Sequence, residues 1–271
     1  ESAVEQMIIA KWILRTLCER NMVNISFAPK ITVGKAGSGL HIHMMLSKDG
    51  KNMMVENGVL SDDARKMIAG ILDLADALTA FGNTIPTSYL RLVPHQEAPT
   101  NICWGDRNRS VLVRVPLGWT GDINMFKDAN PNEKSAANEY DSKQTVEIRS
   151  GDGSADLYLY VAALIVAAQH GLTMRGSLKM AKDLYVNTNI FSEAFKDKLA
   201  KLKALPDCCW DSAEALDAKR KFFEKDKIFQ AGLIDQVVKN LKSYNDKGLS
   251  EKLYGKTEEI RELVNKYIHC M

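Results

Sequence analysis

The sequence predicts an α+β domain, and three observations carry that expectation. Stretches in which polar and apolar residues alternate, the pattern of half-buried strands, all lie before residue 150. From residue 154 onward the apolar spacing is helical throughout. The chain has 271 residues, 45% of them hydrophobic and 26% charged, which is ample for a large core and ordinary for a soluble globular protein.

The elements follow in order. Val4, Met7, Ile8, Lys11, Leu14 and Leu17 recur at helical spacing with one polar interruption, and Glu1 and Glu5 stand where a helix's positive end favours acid. Val23, Ile25 and Phe27 alternate with polar partners before Pro29, which predicts a strand. The turn Gly37-Ser38-Gly39 then feeds a strand over 40–46, in which His41, His43 and Met45 share one side and Leu40, Ile42, Met44 and Leu46 the other. Lys48-Asp49-Gly50-Lys51 is a turn signal and predicts a second strand near 53–55 closing a hairpin. Ser61 is a good N-cap for a helix whose core face carries Met67, Ile68, Ile71, Leu72, Ala75 and Leu78 and which runs to about Gly82.

Residues 85–116 lack helical periodicity and read as loop and strand, with Val111, Val113 and Val115 backing Arg114. Residues 122–143 are polar and read as a surface excursion. Val146-Glu147-Ile148-Arg149 predicts a further strand with Glu147 and Arg149 on one face. Ser154 is expected to cap an apolar core helix ending at Gly171, followed by helices over about 192–203, 212–226, 231–246 and 256–270. The strand-bearing region 1–175 and the helical region 176–271 thus divide near residue 175.

Composition excludes several classes of function. With 36 basic and 34 acidic residues, the total charge gives no reason to expect a nucleic-acid or anionic-membrane partner. Five scattered cysteines without zinc-ligand spacing suit reduced thiols in the cytosol, and the vicinal Cys208-Cys209 pair reads as buried packing. The longest apolar run, 157–168, is too short to span a bilayer. No signal peptide is legible, and the chain opens on Glu1 already inside a helical pattern, as expected of a piece of a longer protein.

Three polar faces require a common explanation: the histidine strand, the arginines at 91, 107, 109 and 114 with nearby Glu97, and the pair Glu147 and Arg149. His-x-His by itself fits either a metal or phosphate site or two polar residues on an exposed strand. Guanidinium forks, however, are the favoured partners of phosphate and carboxylate oxygens. An imidazole on one strand and a carboxylate on another give a divalent cation such as Mg2+ two protein ligands. Together these features point to phosphoryl transfer, where a protein chiefly positions groups and neutralises charge. No Walker-type Gly-x-x-x-x-Gly-Lys-[Ser/Thr] is present, which argues against a P-loop enzyme.

Four ordered motifs carry a family resemblance. They are Gly37-Ser38-Gly39-Leu40-His41-Ile42-His43, then 88–99 (SYLRLVPHQEAP), then Arg107-Asn108-Arg109-Ser110 through Arg114-Val115-Pro116, and Glu147-Ile148-Arg149 before Ser154-Ala155-Asp156-Leu157-Tyr158. In these the chain resembles the C-terminal catalytic domain of glutamine synthetase, most closely over residues 3–175. The resemblance implies antiparallel strands forming part of a barrel-like active site, with helices behind and after it. It implies that His41 and Glu147 ligate Mg2+ (or Mn2+) bridging the phosphates of ATP, and that His43 lies beside the nucleotide. Gly37 would offer backbone to substrate glutamate, Arg91 and Arg149 would hold its carboxylates, and Arg109 and Arg114 would neutralise phosphate. Glu97 would shield a γ-glutamyl phosphate from water and help deprotonate ammonium, since an acyl phosphate survives only where water is excluded. The partners implied are glutamate, ammonia, ATP and further copies of the chain in a cytoplasmic ring, with neither nucleic acid nor membrane.

The same resemblance implies that the remaining metal ligands, all glutamates, and an N-terminal domain lie upstream of residue 1, so the fragment alone is expected to be inactive. Ala36 and Met45 stand where the family usually has asparagine and serine, which leaves open a γ-glutamyl ligase for another amine. A non-catalytic assembly protein is the alternative from another class. Tyr185 falls where some bacterial members are adenylylated, but Val186-Asn187-Thr188-Asn189 departs from their pattern. His95 and His170 read as structural, and Trp104, Trp119 and Trp210 as ordinary core or loop aromatics.

Overall fold

The computed structural model describes residues 2–32, 35–94, 98–117, 130–132, 143–187 and 199–270. Among them are eight short strands: β1 (Ile42–Met44), β2 (Ser47–Lys48), β3 (Lys51–Asn52), β4 (Val55–Glu56), β5 (Val59–Leu60), β6 (Trp104–Asp106), β7 (Val113–Val115) and β8 (Val146–Ile148). The helices are α1 (Ser2–Arg20), α2 (Asp62–Asp73), α3 (Ala75–Gly82), α4 (Pro86–Arg91), α5 (Leu157–Thr173), α6 (Ser177–Asp183), α7 (Cys209–Glu224), α8 (Ala231–Lys242), α9 (Leu249–Lys252) and α10 (Thr257–Lys266). The α+β class expected from the sequence holds.

The main sheet has the order β1-β8-β7-β6. Its register sets two rows of side chains that alternate in face, because successive residues of a strand point opposite ways. Ile42, Ile148, Val113 and Trp104 stand in one row, and His43, Glu147, Arg114 and Gly105 in the next. Ile148, Val113 and Trp104 are buried and join the hydrophobic cluster of α2, α3 and α5. The helices therefore back one face and leave the charged row to the other. Not every pairing is antiparallel: β6 and β7 run parallel, and Arg107 N–H donates to the Val115 carbonyl at 2.8 Å at the end of the pair.

The hairpin after the histidine strand forms, but β3 lies at 51–52 rather than near 53–55, set by a two-residue turn at Asp49-Gly50 (φ 50° and 77°). A second hairpin, β4–β5, turns at Asn57-Gly58. The alternation at 23–27 makes no strand. No strand lies beside it among the described residues, and its polar groups go elsewhere: the Ser26 hydroxyl donates to the Ile268 carbonyl, next to α10.

The long helix beginning after Ser61 is broken at Leu74 (φ −101°, ψ 6°) into α2 and α3. Ser61 caps it as expected, accepting from Ala64 N–H at 3.1 Å. The single-turn α4 replaces part of the expected loop, with Pro86 at its start where a missing N–H costs nothing. Asp156 rather than Ser154 caps α5, which ends at Thr173. The expected helix over 192–203 lies mostly outside the described residues, whereas α7, α8 and α10 fall close to expectation. In α1 the predicted stripe is not a buried one. Only Val4 and Lys11 are covered, the Lys11 ammonium donating to the Gly153 carbonyl, while Trp12 is 66% exposed. Among the described residues no single helix is long and apolar enough to cross a membrane.

Helices α7 and α8 complete the helical layer through Phe223, Phe229, Ile234 and Leu241, so one hydrophobic cluster runs from Val4 to Leu241. A charged clasp reinforces it. Asp76 in α3 is buried and receives Lys203 Nζ at 2.5 Å and Lys219 Nζ, from α7, at 2.6 Å. Burial alone would raise the Asp76 carboxyl, but the two ammonium groups outweigh it and hold it below the ordinary value of 3.8. A carboxyl depressed in the folded state stabilises above its unfolded value, and that gain is lost as the pH falls through the folded value. Asp76→Asn is therefore expected to cost about 1–2 kcal/mol at pH 7, discounted because Lys203 reaches solvent, and progressively less below pH 3.8. Urea melts at pH 7 and pH 3 test this; an equal loss at both would remove the clasp from the account.

Candidate functional site

The charged row of the sheet builds the site. Glu147, in β8, is 1% exposed, with His43 directly across on β1 and Arg114 across on β7. His41 Nδ1 reaches Glu147 Oε1 at 2.7 Å, Arg114 Nε lies 2.5 Å from Oε2, and Arg149 Nε stands 3.8 Å from Oε1. The Arg114 guanidinium closes directly on Oε2, which is buried. Strand alternation put these groups on one face, and the β1–β8–β7 pairing turned three separate sequence motifs into one cluster. His43 Nδ1 meets Thr145 Oγ1 at 2.9 Å, and Met45 follows half in solvent at 53% exposure.

Arg149 and Arg91 sit deeper. Arg149 is 5% exposed and donates to the carbonyls of Arg109 and Val111. Arg91, at the end of α4, is 3% exposed and donates to the carbonyls of Arg149 (3.0 Å), Ser150 (2.7 Å) and Gly151 (3.2 Å). Both guanidiniums thus spend donors on main chain in this structure. The glycines of the preceding turn pack against Arg91: a Cβ on Gly37 would lie 2.8 Å from Arg91 Cγ and 2.3 Å from the Pro29 carbonyl oxygen. Only glycine allows so close an approach. Arg109 is exposed and contributes charge. Glu97 and His95 lie outside the described residues, as does Trp119.

The electrostatics follow from this crowding. Burial would raise the Glu147 carboxyl, but His41 and Arg114 prevail and hold it below the ordinary carboxylate value. Burial lowers the Arg149 guanidinium; Glu147 opposes that, while Arg114, Arg91 and Arg109 add to it by repulsion. Arg114 and Arg149 lie within ion-pair distance of Glu147, and Arg91 and Arg109 add positive charge beside Arg149, the condition for holding an anion. His41 and Glu147 are also the donor types a hard divalent cation accepts, a neutral imidazole and a carboxylate. Their atoms already meet, His41 Nδ1 standing 2.7 Å from Glu147 Oε1. The pair fits a cation as two of its protein ligands.

Several participants were not singled out from the sequence. Thr145 had a legible signal, since it stands two residues before Glu147 on the same strand face. Asn83 and Asp152, both fully buried beneath the site, had none. His170 is structural, as expected, with Nε2 at 2.9 Å from Asp73 Oδ2. Cys208 and Cys209 are buried, and burial pushes the Cys208 thiol up to about 12, so it is a poor ligand although Asp207 and Asp211 lie near it. A cavity of about 940 Å3 between the β4–β5 hairpin, β6 and α6 holds none of His41, His43 or Glu147. Chemistry, not volume, marks the site.

Comparison with known proteins shows the family of the chain and its fold. The family described as "Glutamine synthetase, catalytic domain" matches residues 2–247. Glutamine synthetase of Thermococcus kodakarensis is 32% identical over 249 residues, covering 91% of this chain and 48% of that protein. Glutamine synthetase of Mycobacterium tuberculosis is 33% identical over 86% of the chain and 44% of its own length. The chain therefore spans about half the length of the curated relatives it matches. A cryo-electron-microscopy structure of Plasmodium falciparum glutamine synthetase shares the fold, with a TM-score of 0.68 at 22% identity over 94% of this chain and 52% of that one.

Proposed function

Because the chain belongs to the glutamine synthetase catalytic-domain family, we propose that it carries the acid- and phosphate-binding face of an ATP-dependent ligase joining ammonia to the side-chain carboxylate of glutamate. The observation that supports this most is the buried Glu147 carboxylate held between His41, Arg114 and Arg149, with Arg91 and Arg109 adding positive charge beside Arg149. In the proposed reaction ATP phosphorylates the glutamate side chain and ammonia then displaces phosphate. Arg109 and Arg114 face the phosphates, neutralising charge that builds as the phosphoryl group moves. Arg91 and Arg149 receive the glutamate carboxylates, His43 lies beside the nucleotide, and Glu97 assists deprotonation of ammonium. His41 and Glu147 would hold Mg2+ or Mn2+, which when bound supplies further charge neutralisation at the phosphates.

Two protein ligands are fewer than a divalent cation needs for tight binding, so this chain alone is expected to bind Mg2+-ATP weakly and not to turn it over. Activity belongs to a protein that adds further carboxylates, working as a homo-oligomeric ring by the family's precedent. The reading is tested by isothermal titration of the folded chain with Mg2+-ATP. Binding should occur, weaken about tenfold in Arg114→Ala, and fade when Mg2+ is withheld. A folded chain that ignores Mg2+-ATP, or an Arg114→Ala variant that binds it equally, would sink the proposal. Comparing ammonium with organic amines in the larger protein decides the amine. Met45, exposed beside the histidines where the family usually has serine, is the specific reason to make that comparison.

A further inference from the structure

Strand β8 runs into a bend at 149–152 whose carbonyls are all occupied. Arg91 takes those of residues 149, 150 and 151, Leu40 N–H also donates to the Gly151 carbonyl at 2.8 Å, and Asn83 Nδ2 donates to the Ser150 carbonyl at 2.9 Å. Asp152 closes the bend. Its N–H reaches the Gly82 carbonyl at 3.1 Å, and its carboxylate accepts from Asn83 Nδ2 at 2.8 Å, Ser154 N–H at 2.9 Å and Ser154 Oγ at 2.6 Å. Asn83 and Asp152 are both 0% exposed.

A buried carboxylate is costly unless it is paired or saturated with donors. No cation lies within ion-pair distance of Asp152 among the described residues; three hydrogen bonds hold it instead. Its charge nonetheless acts on Arg91, whose guanidinium burial disfavours and Asp152 supports. Through this bend the end of α3, the start of α5, the glycine turn and α4 all meet at the exit of the strand that carries Glu147.

We propose that Asn83 and Asp152 are positioning residues that lock the 149–152 bend and thereby aim Arg91 and Arg149 at the substrate's carboxylates. The choice of ligand rests on the ligase reading; the locking itself does not. Asp152→Asn keeps size but removes charge, and either orientation of the new amide sets a donor against Asn83 or against Ser154. Asn83→Ser removes both amide bonds. Thr84→Val is the control: the Thr84 hydroxyl, part-buried nearby, donates to the Ser154 carbonyl at 2.6 Å and bonds no residue of 149–152, and the substitution keeps the Thr84 N–H that meets Ser154 Oγ.

The test has two readouts on the folded chain. In side-chain 15N spectra, exchange of the Arg91 and Arg149 guanidinium protons should quicken about tenfold or more in Asp152→Asn and Asn83→Ser, with Arg114 unchanged and Thr84→Val like the parent chain. In titrations with L-glutamate alongside Mg2+-ATP, both variants should weaken glutamate about tenfold and leave Mg2+-ATP within about twofold. Unchanged exchange in both variants, or equal loss of both ligands, overturns the positioning role, as does Thr84→Val reproducing the effect. If Asp152→Asn does not fold, Asn83→Ser decides alone. A parent chain that shows protected guanidiniums but binds no glutamate refutes the ligase reading while the exchange data still decide the locking.

Discussion

Glu147→Gln is expected to abolish divalent-cation binding and, in a protein competent for turnover, phosphoryl transfer. The replacement keeps shape and burial, yet removes the only carboxylate within ion-pair distance of His41, Arg114 and Arg149 among the described residues. Breaking a buried pair leaves its partners uncompensated at a cost of about 3 kcal/mol, so the melting temperature should drop by several degrees as well. Electron paramagnetic resonance titration with Mn2+ reads the first effect and a thermal melt the second. A variant that binds Mn2+ as the parent chain does would show that the imidazole and carboxylate are merely an ion pair. Loss of stability without loss of Mn2+ affinity would point the same way, because a ligand cannot be removed silently.

Gly171→Ala is expected to be strongly destabilising although it adds a single methyl group to the helical layer. Helices α2 and α5 cross at Gly70 and Gly171, and an alanine Cβ at 171 would stand 2.0 Å from the Lys66 carbonyl oxygen and 2.8 Å from Gly70 Cα. Both neighbours are backbone, so relief requires moving one helix off the other, at about 3 kcal/mol or more. Gly232→Ala is the matched control, since nothing lies within 4 Å of its Cβ position in α8. There the change should be neutral or stabilising by up to about 1 kcal/mol. Chemical denaturation of the two variants separates the readings; similar midpoints would mean that the crossing tolerates a wider spacing. Because α5 starts just beyond the 149–152 bend, the damaged crossing should also loosen the site.

Local pattern was legible wherever the burial of one face dictated it. The alternation in 40–46 and 146–149 placed His41, His43 and Glu147 correctly with respect to their apolar neighbours, and Ser61 capped its helix as its side-chain chemistry requires. What misled was pattern without a partner. Residues 23–27 alternate and make no strand, because a strand exists only where another backbone pairs with it. The α1 stripe reads as a core face, yet only Val4 and Lys11 of that helix are buried. The second hairpin, turning at Asn57-Gly58, was not anticipated, and the short α4 carried little signal beyond Pro86.

By itself the sequence determined which residue types were available and which of them shared a face, since side-chain direction along a strand or helix is a local property fixed by backbone geometry. It also supplied an excess of arginine over acid in the middle of the chain, and hence the expectation of an anion. Only the tertiary structure decided that β8 lies between β1 and β7, which brings groups from positions 41, 114 and 147 into contact. It alone decided that Arg91 is held by main-chain carbonyls over a buried Asp152. These are long-range choices, made by the burial of the apolar row against the helices, and no window of sequence contains both sides of such a contact.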